Sequence, residues 1–214
     1  MEGKKNIVVR YATKFLYIIF AVGVAGHLLP DTRELMLLLT PFTLVLTIGV
    51  VFYSLLLESN RKLIYWLAAT YLFTLTVEIA GVKTGQIFGQ YSYGRTLGSK
   101  LFDVPLIIGL NWVFVILGGI IISKEITSDK NLIAVVTGLI AVVFDLFLEP
   151  VAMKLDYWNW LDGEIPFQNY AAWFVIAFIV TWLFSRFNLH IKTDLPKIYL
   201  LVQFVFFISL FLFL

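Results

Sequence analysis

The apolar positions of this chain gather into seven long runs, at about 8–29, 35–57, 63–82, 104–123, 131–152, 168–186 and 195–214. Each is close to the ~20 residues that an α-helix needs to cross a hydrocarbon core, and none alternates residue by residue as a barrel strand does. The pattern predicts an all-α polytopic membrane protein of seven transmembrane helices, a single integral membrane domain over 1–214. Two stretches inside it, about 63–123 and 131–186, share one outline. A carboxylate stands in the last turns of a span (Glu78, Glu149), a loop rich in aromatics follows, and a proline opens the next span (Pro105, Pro166). Seven residues after each proline comes a tryptophan, Trp112 and Trp173, with Asn111 and Asn169 nearby. Two similar helical hairpins are therefore expected to present the same chemistry to one place.

Composition agrees with the pattern, since 60% of the 214 residues are hydrophobic and 14% charged, far from the balance of a soluble domain. There is no cysteine, which excludes disulfides, thiolate nucleophiles and thiolate metal sites. The two histidines, His27 and His190, form no pair with metal-ligand spacing, so no metal and no cofactor is expected. Gly81, Gly85, Gly89, Gly94 and Gly98 suggest a folded loop with tight turns. They lack the order of a phosphate-binding loop, and no nucleic-acid partner is expected.

Charge sets the expected orientation. The N-terminal flank (Lys4, Lys5, Arg10, Lys14) and alternate loops on the same side carry 11 lysines and arginines, against 5 on the other side. The positive-inside rule then puts the N-terminus in the cytoplasm and the C-terminus outside, in the cytoplasmic membrane of a bacterium or archaeon, with lipid as the surrounding partner. The first run also resembles a secretory signal ending at Val24-Ala25-Gly26, but its length and the polar His27 near its end fit a retained helix. The pattern does not fix the oligomeric state.

With this topology the intramembrane polar residues fall on the outer side: His27, Glu78, Asn111, Asp145, Glu149 and Asn169. At ~1.5 Å of rise per residue, Glu78 lies about 6 Å and Asp145 about 10 Å below the ends of their spans, so they can share one depth. Asp145 and Glu149, four residues apart, lie on one helix face, and two such carboxyls in a poorly hydrated site are not both ionised. Ionisable groups at membrane depth are costly and point to function. The structural alternative is Glu78 paired with Lys83 or Arg95, and Asp145 capping a neighbouring helix. Tyr91, Tyr93, Tyr157, Trp158 and Trp160 form either an interfacial belt or a lid whose ring faces line the site.

A protonated carboxyl in an aromatic pocket, with no metal, thiol or nucleotide motif, suits protonation of an isolated alkene. The tertiary cation so formed is stabilised by ring faces, each by about 0.5–2 kcal/mol. Capture by water gives an alcohol, capture by a neighbouring double bond gives a ring, and loss of a proton gives an isomer.

Several blocks of the chain resemble one family. They are E-x4-K-T-G-x2-F-G-x-Y-x-Y (Glu78 to Tyr93), L-F-D-V-P-L (Leu101 to Leu106) followed by Asn111-Trp112, D-x3-E-P (Asp145 to Pro150), Y-W-x-W (Tyr157 to Trp160) and I-P-F-Q-N-Y-x2-W (Ile165 to Trp173). The family is that of the membrane carotenoid hydratases, the carotenoid biosynthesis proteins that include bisanhydrobacterioruberin and γ-carotene/lycopene hydratases. The resemblance covers about residues 75–180 and departs at Phe167-Gln168-Asn169-Tyr170, where a smaller serine- or glycine-bearing turn is common. It implies cofactor-independent addition of water to the terminal double bond of an acyclic or monocyclic carotenoid, giving a tertiary hydroxyl.

Roles follow from the residues themselves. Asp145, beside Glu149, is the expected general acid, and Glu78, assisted by His27, is expected to hold and deprotonate the water. Asn111 and Asn169 orient that water, while Trp112, Trp158, Trp160, Trp173, Tyr91 and Tyr93 face the substrate. A membrane lycopene cyclase shares the first step and remains the nearest alternative, followed by a carotenoid carrier or transporter. A retinal photoreceptor is disfavoured, because the last span has Lys197 only at its mouth and no lysine midway.

Overall fold

Runs of apolar residues with few breakers become α1 (Glu2–Leu28), α2 (Pro30–Leu56), α3 (Arg61–Thr84), α4 (Leu106–Ile126), α5 (Lys130–Lys154), α6 (Phe167–Arg186) and α7 (Leu195–Phe213). The computed structural model describes residues 2–58 and 60–214; the side chains of Lys4 and Lys5, which enter the charge count, lie outside that description. Among the described residues all seven helices are long and apolar enough to cross a membrane.

α4 is apolar around its whole circumference, the mark of a helix enclosed by others. It is accordingly the most buried span, with α2, α3, α5, α6 and α7 packed against it. Local chemistry sets several helix ends. Asn60 accepts from the Leu63 N–H to cap α3, Asp129 accepts from Asn131 and Leu132 to cap α5, and Gly85 closes α3 at a left-handed φ of 66°. Pro105 and Pro166 take the N-cap position of α4 and α6, one residue ahead of the first turn where the sequence put them.

Two departures from the sequence reading shape one end of the bundle. α2 starts at Pro30 rather than near residue 35, because Pro30 suits the first turn and the polar residues Asp31, Thr32 and Arg33 continue the helix. The loops are also not wholly irregular. β1 (Tyr91–Tyr93) pairs antiparallel with β4 (Trp158–Trp160), in the register Tyr91 with Trp160 and Tyr93 with Trp158. β2 (Lys100–Leu101) pairs with β3 (Val104–Pro105) across a tight turn in which Phe102 and Asp103 both have positive φ, 49° and 69°. That hairpin delays the start of α4 from 104 to 106. The connections α3–α4 and α5–α6 are thus stitched together at one end. At the other, Glu58 accepts from the N–H groups of Lys192 and Thr193, and Lys130 donates to Asn188.

Candidate functional site

Beneath the β1–β4 ribbon, α3 and α5 bring three carboxyls together. Glu78, Asp145 and Glu149 are 3%, 0% and 2% exposed and line one small enclosure with Asn169. Glu78 Oε2 accepts from the Tyr91 hydroxyl at 2.5 Å and the Tyr93 hydroxyl at 2.8 Å. Glu149 Oε2 accepts from the indole N–H of both Trp158 and Trp160 at 2.8 Å. The Asn169 amide donates to Glu149 Oε1 at 2.9 Å and to Asp145 Oδ2 at 2.7 Å, tying the two carboxyls of α5 to the start of α6. Asp145 Oδ1 is buried without a hydrogen-bond partner.

The ribbon explains why these donors converge. Side chains alternate along a strand, so Tyr91 and Tyr93 point to one face of β1, and Trp158 and Trp160 to the same face of β4. The register places the four rings over the carboxyls in two pairs, Tyr91 against Trp160 at 5.0 Å and Tyr93 against Trp158 at 5.8 Å between centroids. A close approach seals the ribbon: a Cβ on Gly94 would lie 2.0 Å from the Asp156 carbonyl oxygen. Burial, then the charge of Glu78, pushes the Tyr91 and Tyr93 phenols well above the ordinary tyrosine range, so both remain donors.

The remaining walls are aromatic. Trp112 and Trp173 stack at 3.5 Å with 16° between planes, and Phe88 lies nearly parallel to Trp173 at 5.3 Å. Among the described residues no ion pair reaches any of the three carboxyls; every contact to them comes from a neutral donor. Glu78 is therefore held by tyrosines, not by Lys83 or Arg95, and Asp145 does not cap a helix. Three buried negative charges without a cation would cost several kcal/mol each, so the enclosure must hold at least one proton. Its free space is about 10 Å³, close to the ~10–15 Å³ that one water requires.

A second, larger cavity of about 290 Å³ adjoins the first, sharing Ile108 and Trp158 as a common wall. It runs between α1, α2, α4 and α7, is mostly apolar, and includes the lipid-facing Val22 and Leu39 in its lining. Its polar groups include His27, Asn111 and Gln203. Tyr157 also lines it, its phenol pushed up to about 12 by burial.

Most of the residues singled out in the sequence meet here, though in two compartments. Glu78, Asp145, Glu149, Asn169, Trp112, Trp173, Tyr91, Tyr93, Trp158 and Trp160 enclose the small one. His27 and Asn111 belong to the large one. His27 does not contact Glu78: its Nδ1 lies 2.7 Å from the Gly23 carbonyl and its ring packs edge-on against Phe206. Asn111 Oδ1 accepts from the Tyr199 hydroxyl at 3.2 Å rather than facing the carboxyls. Ile108 and Gln203 escaped the sequence reading, and Phe88 entered it only as a fixed position of the Glu78-to-Tyr93 block, not as a site residue. A lone amide in the last apolar span was the one available signal for Gln203, whereas Ile108 looks like any lipid-facing residue. Among the described residues no group of His, Cys, Asp and Glu is placed to hold a metal ion.

Comparison with known proteins gives a consistent picture. The family model described as "Carotenoid biosynthesis protein" matches residues 39–214. A curated relative, the bisanhydrobacterioruberin hydratase of Haloarcula japonica, is 26% identical over 132 residues, covering 56% of this chain and 43% of that protein. The match thus takes in less than half of the relative's length. No solved structure matches significantly.

Proposed function

Starting from a chain that belongs to the carotenoid biosynthesis protein family, we propose that it is a carotenoid hydratase, a hydro-lyase that adds water across the terminal double bond of an acyclic end group. The observation that carries this reading is the set of three buried carboxyls with neutral donors, enclosed by ring faces, in a space for about one water. The likeness to a hydratase supports it. The end group enters from lipid into the 290 Å³ cavity and rests its double bond against the Ile108–Trp158 wall, which yields locally to the acid behind it.

The donor inventory assigns the roles. Glu149 receives three hydrogen bonds and Glu78 two, which suits anions, while Asp145 receives one and has an orphan oxygen, Oδ1, able to carry the proton. Asp145 delivers that proton to the CH carbon of the alkene, leaving a cation on the dimethyl carbon. The enclosed water adds its oxygen there and loses a proton to Glu78, and transfer of that proton back to Asp145 closes the cycle without a cofactor. Indole faces of Trp158, Trp160, Trp112 and Trp173 stabilise the cation, each by about 0.5–2 kcal/mol. Asn169 keeps Asp145 and Glu149 in register. The distribution of basic residues supports placing this end of the bundle outside the cell, with the N-terminus in the cytoplasm.

The test is incubation of purified, lipid-embedded protein with an acyclic C40 polyene and no added cofactor, followed by product mass. A gain of one water is expected, with heavy oxygen incorporated from labelled water, and Asp145→Asn is expected to abolish it. A ring-closed product of unchanged mass would show a cyclase. No turnover would leave a carrier, and full turnover by a folded Asp145→Asn protein would remove the acid from Asp145.

A further inference from the structure

The larger cavity contains two polar atoms that the reaction above does not use. His27 and Gln203 are 5% and 1% exposed and line the same 290 Å³ space, yet His27 Nε2 and Gln203 Nε2 have no hydrogen-bond partner. Buried polar atoms are nearly always satisfied, and each orphan costs about 1–3 kcal/mol. Two of them on side chains that line one mostly apolar cavity mark a place where a ligand completes the set.

Their chemistry specifies the ligand. The Gly23 carbonyl can only accept, so the proton of the neutral His27 ring sits on Nδ1 and Nε2 is left with an unpartnered lone pair. Gln203 Nε2 is a donor. An unpartnered acceptor and an unpartnered donor in a mostly apolar space, bordered by Phe20, Phe206, Phe207 and Leu148, complement a group that both gives and takes one hydrogen bond. A hydroxyl does both, directly or through one water. A carboxylate lacks the proton to give, and a hydrocarbon offers neither. The volume is at the lower edge of the ~300–1,000 Å³ of small-molecule sites, so it takes the tip of a long chain and leaves the rest in lipid. Val22 and Leu39, exposed on the membrane face yet part of the lining, mark the side from which such a chain enters.

We propose that the α1–α2–α4–α7 cavity is a recognition site for a hydroxyl at the end of an apolar polyene, with His27 Nε2 accepting from it and Gln203 Nε2 donating to it. The inference rests on the hydratase reading for the origin of that hydroxyl, the tertiary alcohol of the product; the recognition chemistry stands on the two orphan atoms. His27 is then a binding residue on the product side rather than a helper of Glu78.

The experiment measures binding and leaves turnover as a separate readout. Purified protein in lipid nanodiscs is titrated with an acyclic C40 polyene and, in parallel, with its 1-hydroxy-1,2-dihydro derivative, following the polyene absorption shift. The Asp145→Asn protein is used alongside wild type so that conversion of the hydrocarbon does not confuse the comparison. The alcohol is expected to bind about tenfold more tightly than the hydrocarbon in both proteins, the weight of a net buried hydrogen bond. His27→Phe and Gln203→Met, each close in shape and without the polar atom, should each reduce that preference severalfold while still binding the hydrocarbon. Retained hydrocarbon binding shows that the variant is folded, and either variant suffices for the test. Equal binding of the two ligands by wild type, as expected if the cavity merely accommodates lipid tails, would overturn the proposal. So would a preference that survives both substitutions. A failed hydratase assignment shows itself differently, as absent or Asp145-independent turnover with the binding preference intact.

Discussion

The Trp158 indole N–H donates to Glu149 Oε2 at 2.8 Å while the same side chain forms part of the wall of the 290 Å³ cavity. One residue thus couples the carboxyl enclosure to the compartment open to lipid. Movement of this ring would expose the carboxyls to the cavity and remove one of three hydrogen bonds to Glu149. Trp158→Phe keeps an aromatic wall and loses the donor. Hydrogen bonds to charged groups are worth about 1.5–3 kcal/mol, so kcat is expected to fall roughly 10- to 100-fold. Trp160→Phe removes the other indole donor to the same oxygen but does not touch the larger cavity, so it should lower kcat without changing KM, whereas Trp158→Phe should change both. Steady-state kinetics on the two variants separates the roles.

Asn169 ties the enclosure together by donating to both Asp145 and Glu149. Asn169→Leu removes both bonds and leaves two buried carboxyls short of a donor, at a cost of about 1–3 kcal/mol for each unsatisfied group. A lower unfolding midpoint in detergent titration is expected. Asp145→Asn should behave oppositely. It is isosteric and replaces a protonated acid by a neutral amide whose oxygen can still accept from Asn169, so the midpoint should hold while turnover falls by about 100-fold or more. Similar destabilisation by both substitutions would show that Asp145 is a structural group.

Much of this arrangement is legible in the sequence, and the remainder is hidden for physical reasons. Seven long apolar runs mark the spans, and Glu78, Asp145 and Glu149 stand out because charge inside such runs is costly. The spacing of Asp145 and Glu149 on one helix face and the proline-to-tryptophan interval in each hairpin place the walls of the enclosure. The β1–β4 ribbon does not show, since three-residue strands are too short for a period of two to register, and their pairing joins residues far apart in the chain, such as Tyr91 and Trp160. The separation of His27 from Glu78 is equally invisible. Depth along a span can be counted from sequence, but the direction in which a helix faces its neighbours depends on packing. Gln203 was readable in principle as an uncharged polar residue amid the apolar residues of α7.

Two glycines make contrasting predictions about the scaffold. Gly94 sits where β1 leaves the ribbon, its N–H donating to the Tyr157 carbonyl at 2.9 Å, and an added Cβ would fall 2.0 Å from the Asp156 carbonyl oxygen. Backbone cannot yield as a flexible side chain does, so Gly94→Ala is expected to cost about 1–3 kcal/mol or more and to loosen the ribbon. Gly49, within α2, has nothing within 4 Å of a built Cβ. There Gly49→Ala should stabilise the helix by up to about 1 kcal/mol and leave turnover unchanged. Unfolding midpoints and limited proteolysis of the loop check both.

The phenols above Glu78 give a pH prediction with a definite sign. Burial and the charge of Glu78 raise the Tyr91 and Tyr93 pKa well above the usual ~10. In the unfolded chain both would ionise near that ordinary value. Below about pH 10 the two states therefore carry the same protons and the stabilisation is fully present. Above it the unfolded state loses protons that the folded state keeps, and stability declines until the folded pKa is passed. Phenolate absorbance should show no ionisation of these two residues in the folded protein near pH 10, so Tyr91→Phe with Tyr93→Phe should leave the ordinary-range amplitude unchanged. The same double variant should lessen the alkaline loss of stability, because two of the groups driving it are gone. A drop in ordinary-range amplitude in that variant would show that water reaches the hydroxyls and that the ribbon does not seal the carboxyls beneath it.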